Sequence, residues 1–82
     1  MDRAGVAAMQ KAGDIDGLIG ALRDPDEYVR VAAVHALGGF GSRRVAEALE
    51  TIKFSDPDVR VRRAASYAHT RVVERIRERE GG

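Results

Sequence analysis

The sequence contains two copies of one short segment, and this repetition constrains the fold more than any other feature. Residues 24–36 and 56–68 align without a gap at an offset of 32, and eight of the thirteen aligned positions are identical. A fainter third copy lies nearer the start, where residues 6–13 align with residues 34–41 at an offset of 28. Repeats of about 20–50 residues are typical of stacked, solenoid-like architectures. We therefore expect a row of similar units in which each unit packs on its neighbours.

Each of the two copies begins with an Asp-Pro-Asp motif, which predicts the start of a helix. Asp24 and Asp56 are expected to be N-caps, because a carboxylate there accepts a hydrogen bond from the unpaired N–H groups of the first turn. Pro25 and Pro57 would then occupy the first helical position, where the missing N–H of proline costs nothing. Apolar residues follow at intervals of three and four, which predicts one buried stripe along each helix.

Glycine marks the expected end of the first of these helices. Gly38, Gly39 and Gly41 are expected to supply the positive φ angles that end a helix. The second copy has His69 and Thr70 instead of such an end, so its helix is expected to continue much further. The whole pattern predicts helices over about residues 3–12, 14–23, 25–38, 42–54 and 57–79, and no strands.

The composition fits a helical array and excludes several kinds of protein. Of the 82 residues, 44% are hydrophobic and 33% are charged, a balance typical of a folded, water-soluble chain. The absence of cysteine excludes disulfides and thiolate metal sites. No run approaches the ~18 consecutive apolar residues of a membrane helix, and no signal peptide is recognisable. We therefore expect a cytoplasmic protein that does not bind a membrane.

The repeated motifs resemble HEAT repeats. The resemblance is carried by Asp-Pro-Asp, the Val-Arg that follows, Ala-Ala and Ala-Leu-Gly, and by the six-residue spacing from Asp24 to Arg30 and from Asp56 to Arg62. It points to the short prokaryotic type that is also found in phycobilisome lyase-like proteins. The resemblance implies an all-α fold, an α-solenoid of about five helices and about two and a half repeats. It also implies that these aspartates and arginines form a hydrogen-bonded ladder between neighbouring repeats.

The resemblance also suggests how the chain is divided. One HEAT-like domain is expected over residues 1–80, and residues 81–82 are expected to be a flexible tail. Within the domain, residues 3–12 would be the second helix of a partial repeat and residues 14–39 a full repeat. Residues 42–79 would be a second full repeat with an extended C-terminal helix.

Such repeats mostly serve as binding scaffolds, so the resemblance implies a non-catalytic protein that binds a protein partner and needs no cofactor. The second helix of each pair is expected to contact that partner. The candidate contact residues are Tyr28, Val31, His35, Arg63 and Tyr67.

Self-association into a homo-oligomer is a further hypothesis. A chain that opens on a second helix would leave Val6, Met9 and Leu18 uncovered, and the last helix is expected to project beyond its neighbours. The candidate self-association residues on this last helix are Val72, Val73 and Ile76.

No catalytic or metal site is predicted. His35 and His69 do not occupy equivalent repeat positions, and two histidines without cysteine or a nearby third ligand do not predict a metal site. Asp14 and Asp16 are two residues apart and would face different ways on a helix. Asp14 is instead expected to cap a helix that begins at Ile15.

Two alternative functions stay open. The segment from Arg60 to Arg79 contains seven arginines against two glutamates, which favours binding of nucleic acid or another polyanion. The arginines are nevertheless spread around the helix, and Tyr67 alone offers no series of stacking aromatics. The second alternative, suggested by the lyase-like resemblance, is an accessory subunit of an enzyme related to bilin lyases.

Overall fold

The structure, a computed structural model, describes residues 1–81 and shows an all-α fold, as predicted. Its helices are α1 (Arg3–Ala12), α2 (Ile15–Ala21), α3 (Glu27–Leu37), α4 (Arg43–Ser55) and α5 (Val59–Arg79). No strand occurs between residues 1 and 81. Gly82, the second residue of the predicted tail, lies outside the described residues.

The helices are arranged in two layers. α2 packs on α3 and α4 packs on α5, so each repeat contributes a pair of helices. The second helices α3 and α5 pack side by side, and α1 packs against α3 in the same layer. The molecule measures 38 × 27 × 14 Å and is therefore a flat slab. One broad surface of the slab is formed by α1, α3 and α5.

One aliphatic core runs through both layers. The largest fully buried side chains are Leu18, Leu37, Leu49, Val29, Val34, Val45, Val61 and Val72. Ala33 and Ala65, from the two Ala-Ala motifs, are also fully buried. Small side chains at equivalent positions let the helices approach closely, and the branched residues fill the remaining space. The repeated residues thus build the same packing twice.

The amino-terminal residues that were expected to be uncovered are covered. Val6 is 2% exposed, Leu18 is fully buried, and Met9 is half-buried against the core. The prediction was wrong because α1 packs against both α2 and α3. This double contact turns the apolar stripe of α1 inward, and the first full repeat alone covers it.

The repeated helices begin later than predicted, because a different aspartate caps each of them. Asp26 and Asp58 are the N-caps of α3 and α5, and each accepts the N–H two residues further on, at 2.8 and 2.7 Å respectively. Asp24 and Asp56 accept the N–H groups of Asp26 and Asp58, both at 2.9 Å. The first aspartate of each motif therefore shapes the preceding turn, and the proline lies outside the helix. Asp14 does cap α2, as predicted.

The glycines after α3 have a role other than the predicted one. None of Gly38, Gly39 and Gly41 has a positive φ angle. A Cβ on Gly41 would instead lie 3.1 Å from the Cβ of Arg75 on α5, closer than side chains normally pack. These glycines follow the end of α3 where α5 passes close beside it, and at Gly41 the missing side chain permits the close approach.

Candidate functional site

Arg30 joins the two repeats through a shielded ion pair. Its Nε donates to Oδ2 of Asp56 at 3.0 Å, and its Nη2 donates to Oδ1 at 3.4 Å. Its Nη1 donates to the main-chain oxygen of Asp24 at 2.8 Å. The side chains of Arg30 and Asp56 are 12% and 3% exposed. One guanidinium therefore links the turn before α3 to the turn before α5, with little access for water.

Arg62 lies at the equivalent position of the second repeat but makes only part of these contacts. Its Nη1 donates to the main-chain oxygen of Asp56 at 2.7 Å, as that of Arg30 does to Asp24. Within residues 1–81, no carboxylate lies at ion-pair distance from the Arg62 guanidinium. The Asp24 carboxylate lies 3.5 Å from the amino nitrogen of Met1. Of the four predicted ladder residues, the structure thus pairs only the side chains of Arg30 and Asp56.

The predicted partner-binding residues lie on one surface, which we name the second-helix surface: Tyr28, Val31 and His35 of α3 with Arg63 and Tyr67 of α5. Tyr28 is 55% exposed and Tyr67 is 66% exposed. His35 and Arg63 are also exposed, and Val31 is half-buried. Two large aromatic side chains therefore stand open to solvent on adjacent helices.

An arginine lies over each of these tyrosines. The Arg60 guanidinium is 5.1 Å from the centre of the Tyr28 ring, and that of Arg71 is 5.9 Å from the centre of the Tyr67 ring. Both distances fall in the cation–π range. Sequence reasoning did not single out Arg60 and Arg71 as site residues. The spacing of 32 residues between Tyr28 and Arg60, which equals the repeat offset, was the available clue.

The charges around the two tyrosines differ. Arg60 contacts the carboxylates of Asp58 at 2.9 Å and Glu27 at 3.7 Å. The side-chain hydrogen bond from Arg60 lowers the pKa of Asp58 to about 2. No carboxylate of residues 1–81 lies at ion-pair distance from Arg63 or Arg71. The surface is therefore neutralised beside Tyr28 and positive beside Tyr67.

The last helix does not project freely, and one of its predicted association residues is unavailable. Val72 is fully buried in the core, so it cannot contact another molecule. The prediction that Val72 mediates self-association was wrong because α4 packs along α5 and covers this side of the helix. Arg43 at the start of α4 forms an ion pair with Glu80, and Arg79 donates to the main-chain oxygen of Gly41 at 2.9 Å. These contacts hold the end of α5 against the body of the protein.

Val73 and Ile76 lie in a groove between α4 and α5, which we name the α4–α5 groove. Its volume is about 380 Å³. The residues that line it are Arg43, Ala46, Glu47, Val73, Ile76, Arg77 and Glu80. Val73 and Ile76 are half-buried here, so two of the three predicted self-association residues retain an accessible apolar surface.

The arginines of α5 are not gathered into one stripe. Arg63 lies on the second-helix surface, whereas Arg77 lines the α4–α5 groove. Arg71 and Arg75 line a polar depression together with two glutamates of the same helix. A phosphate backbone lying along α5 would therefore not meet a continuous row of these cations.

No arrangement typical of a metal site occurs in the described part of the chain. No group of three or more histidine, aspartate or glutamate side chains within residues 1–81 is placed to hold a metal ion. His69 lies 3.6 Å from Glu50 on α4, and His35 is exposed on the second-helix surface. None of the five helices described has the length and apolarity that a membrane span requires.

Comparison with known proteins supports the repeat assignment. A family model described as HEAT repeats matches residues 7–72. The matched range contains the Arg30–Asp56 pair and the whole second-helix surface. No curated protein and no solved structure matches the chain.

Proposed function

The chain belongs to the HEAT-repeat family, and on that premise we propose that it is a non-catalytic scaffold whose second-helix surface binds another protein. HEAT repeats commonly present stacked helices to protein partners. One observation carries the proposal: two exposed tyrosines, each with an arginine over its ring, lie on neighbouring helices of one layer.

Tyrosine and arginine are the side chains expected at the centre of a protein interface. Together with tryptophan they dominate the residues whose removal weakens binding most. Tyrosine offers a large contact area and loses little conformational freedom on binding. The arginines over Tyr28 and Tyr67 limit this freedom further before any partner arrives. The surface is thus partly organised for contact.

The charges favour a partner segment that carries carboxylates. Arg63 and Arg71 lie beside Tyr67 without a carboxylate at ion-pair distance in residues 1–81. An acidic segment laid across α5 would supply this charge and leave Arg60 with its own carboxylates. Complementary charge of this kind speeds association and selects among partners more than it adds affinity.

The two alternative functions use the same surface. Nucleic acid would also meet Arg63 and Arg71, and its bases would stack on the tyrosines. An accessory role beside an enzyme related to bilin lyases, as the phycobilisome lyase-like resemblance suggests, is a narrower form of the proposal in which the enzyme is the partner. We favour a protein partner because the cations of α5 are dispersed over several surfaces.

The test compares two aromatic sites of similar exposure. Tagged wild-type protein, a Tyr28→Ala/Tyr67→Ala variant and a Phe54→Ala variant are used to capture partners from the native cell extract, with identification by mass spectrometry. Phe54 lies on α4, in the other layer, and is 74% exposed. We expect the tyrosine variant to lose a protein that wild type and Phe54→Ala both retain.

Two results would contradict the proposal. One is equal capture by all three proteins. The other is tight binding of a labelled DNA or RNA oligonucleotide that weakens steeply between low and physiological salt, since this dependence is characteristic of phosphate contacts. Circular dichroism of each variant checks that the helices are retained.

A further inference from the structure

We propose that the α4–α5 groove is the centre of a homodimer interface, in which the α4 helix of each copy faces the α5 helix of the other. This surface is separate from the second-helix surface. The occupant of the groove is a second copy of this chain, and three features of the groove lead to that assignment.

The first feature is an unpaired charge of opposite sign on each wall. Glu47 lies on the α4 wall and Arg77 on the α5 wall, and both are exposed. Within residues 1–81, neither has an oppositely charged group at ion-pair distance. Arg43 and Glu80, which also line the groove, already pair with each other. The groove therefore has one uncompensated anion and one uncompensated cation.

The second feature is that this arrangement is complementary to itself. A twofold axis that runs along the groove places the α4 helix of one copy opposite the α5 helix of the other. Arg77 of each copy then faces Glu47 of the other, because both residues line the same stretch of the groove. That stretch lies between the Arg43–Glu80 ion pair and the point where His69 approaches Glu50. In a twofold interface each contact occurs twice, so two ion pairs form from one residue pair. An unrelated partner would need the same pattern by coincidence.

The third feature is an apolar floor that is covered only in part. Ala46, Val73 and Ile76 form this floor and are half-buried. Two packed helices present a face about 20 Å wide, and α4 with its 13 residues is about 20 Å long. Such a face buries on the order of 400 Å² per copy, or about 800 Å² in total, which is below the ~1,200 Å² of stable specific interfaces and within the range of weak, transient contacts. We therefore expect a weak dimer with a dissociation constant in the micromolar range or above.

Comparison of the two repeats supports a weak contact. Val34 and Leu37 are fully buried on α3, whereas the equivalent residues on α5 are Ser66, which is exposed, and His69, which is half-buried. This side of α5 is thus more polar than its counterpart on α3. A surface of mixed polarity suits a contact that forms and dissociates between folded monomers.

The experiment measures the dimer by sedimentation equilibrium over a concentration series, at low and at physiological salt. The variants are Glu47→Arg and Arg77→Glu, with Arg63→Glu as a matched control outside the groove. Each groove variant places like charges opposite each other twice, so we expect dissociation constants at least about tenfold above wild type. The control is expected to dimerise like wild type.

A mixture of the two groove variants gives the decisive result. In a mixed dimer, the arginine introduced at position 47 of one copy would face the glutamate introduced at position 77 of the other. The unchanged Arg77 of the first copy would face the unchanged Glu47 of the second, so both ion pairs are restored. We expect heterodimers to form in the mixture at concentrations where each variant alone, with its at least about tenfold higher dissociation constant, is mostly monomeric.

Three results would overturn the proposal. The first is a wild-type protein that stays monomeric at millimolar concentration. The second is normal dimerisation of the single variants. The third is a mixture in which no heterodimer forms while circular dichroism shows both variants to be folded.

Discussion

Replacing Arg30 by methionine should destabilise the protein much more than the same replacement at Arg62. The two arginines hold equivalent positions, 32 residues apart. Methionine keeps the aliphatic length of the side chain but removes its charge and its hydrogen-bond donors. Of these two arginines, only Arg30 has a carboxylate partner among residues 1–81, so the two substitutions differ chiefly in the loss of one ion pair.

The burial of Asp56 determines how much the two substitutions should differ in their effect on the free energy of unfolding. Arg30→Met leaves the Asp56 carboxylate, which is 3% exposed, without its cation. Removing one partner of a buried ion pair costs about 3–5 kcal/mol. We expect about 3 kcal/mol here, the lower end, because Asp56 keeps the N–H of Asp58 at 2.9 Å and Arg30 is partly exposed. Arg62→Met loses one hydrogen bond to a main-chain oxygen, and we expect a loss of about 1 kcal/mol, below the ~1.5–3 kcal/mol of buried charged hydrogen bonds, because Arg62 is only half-buried.

Urea unfolding followed by circular dichroism measures both free energies. The expected difference of about 2 kcal/mol corresponds to a gap of roughly 8–16 °C between the melting temperatures of the two variants in a domain of this size. A third variant, Asp56→Asn, should make Arg30→Met less costly when the two are combined, because the buried carboxylate is then absent. This coupling distinguishes the ion pair from packing of the arginine stem.

Equal destabilisation by the two methionine substitutions would contradict this prediction. It would mean that the ion pair between the repeats contributes no more than a single hydrogen bond to the main chain. A larger effect at Arg62 would show that this arginine has a carboxylate partner in solution.

Three further predictions concern single positions. Gly20→Ala should raise the free energy of unfolding by about 0.5–1 kcal/mol, because nothing lies within 4 Å of the added Cβ. Gly17→Ala should lower it in the same urea assay, because its Cβ would clash with the carboxylate of the α2 N-cap. Asp58 has a pKa lowered to about 2, below the ~3.9 of an unfolded chain, so its ionised form favours the folded state. The stability advantage of wild type over Asp58→Asn should be complete above about pH 5 and disappear as the pH falls toward 2, and an advantage independent of pH would contradict this assignment.

The sequence predicted the helices well because the determinants of a helix are local. The predicted range 3–12 coincides with α1 (Arg3–Ala12), and the predicted 57–79 ends where α5 (Val59–Arg79) ends. Apolar spacing, capping side chains and the missing glycine after the second copy all act within a few residues. The start of α3 was harder, since Asp24 and Asp26 are both able to cap. In the structure the carboxylate of Asp24 accepts the N–H of Asp26 and its main-chain oxygen accepts from Arg30, so Asp24 belongs to the turn and Asp26 caps the helix.

Burial and the cation–π contacts could not be predicted in the same way. Val72 and Val73 are adjacent and chemically identical, yet only the first is fully buried. Their difference depends on how α4 packs across α5, and one helix does not specify that packing. The contact between Arg60 and Tyr28 likewise arises only when α3 and α5 lie side by side. Such features follow from the stacking of repeats.

Comparison of the two copies distinguishes the positions that are needed for the fold, which are identical, from the positions that give each helix its own surface, which differ. Five of the thirteen aligned positions differ between them. They are the pairs Glu27 and Val59, Tyr28 and Arg60, Val31 and Arg63, Val34 and Ser66, and His35 and Tyr67. Four of these pairs fall on or beside the second-helix surface. The exception is the pair of Val34, which is buried, and Ser66, which is exposed.

The eight identical positions, in contrast, shape the turns, form the Arg30–Asp56 pair or pack in and around the core. A copied segment that needed only to fold would be free to vary on any exposed face. Here the variation places two tyrosines and two arginines on one layer, and it makes one side of α5 more polar than its counterpart on α3. These differences within one chain agree with the proposal that the second helices bind a partner, and the more polar side of α5 agrees with a weak contact at the α4–α5 groove.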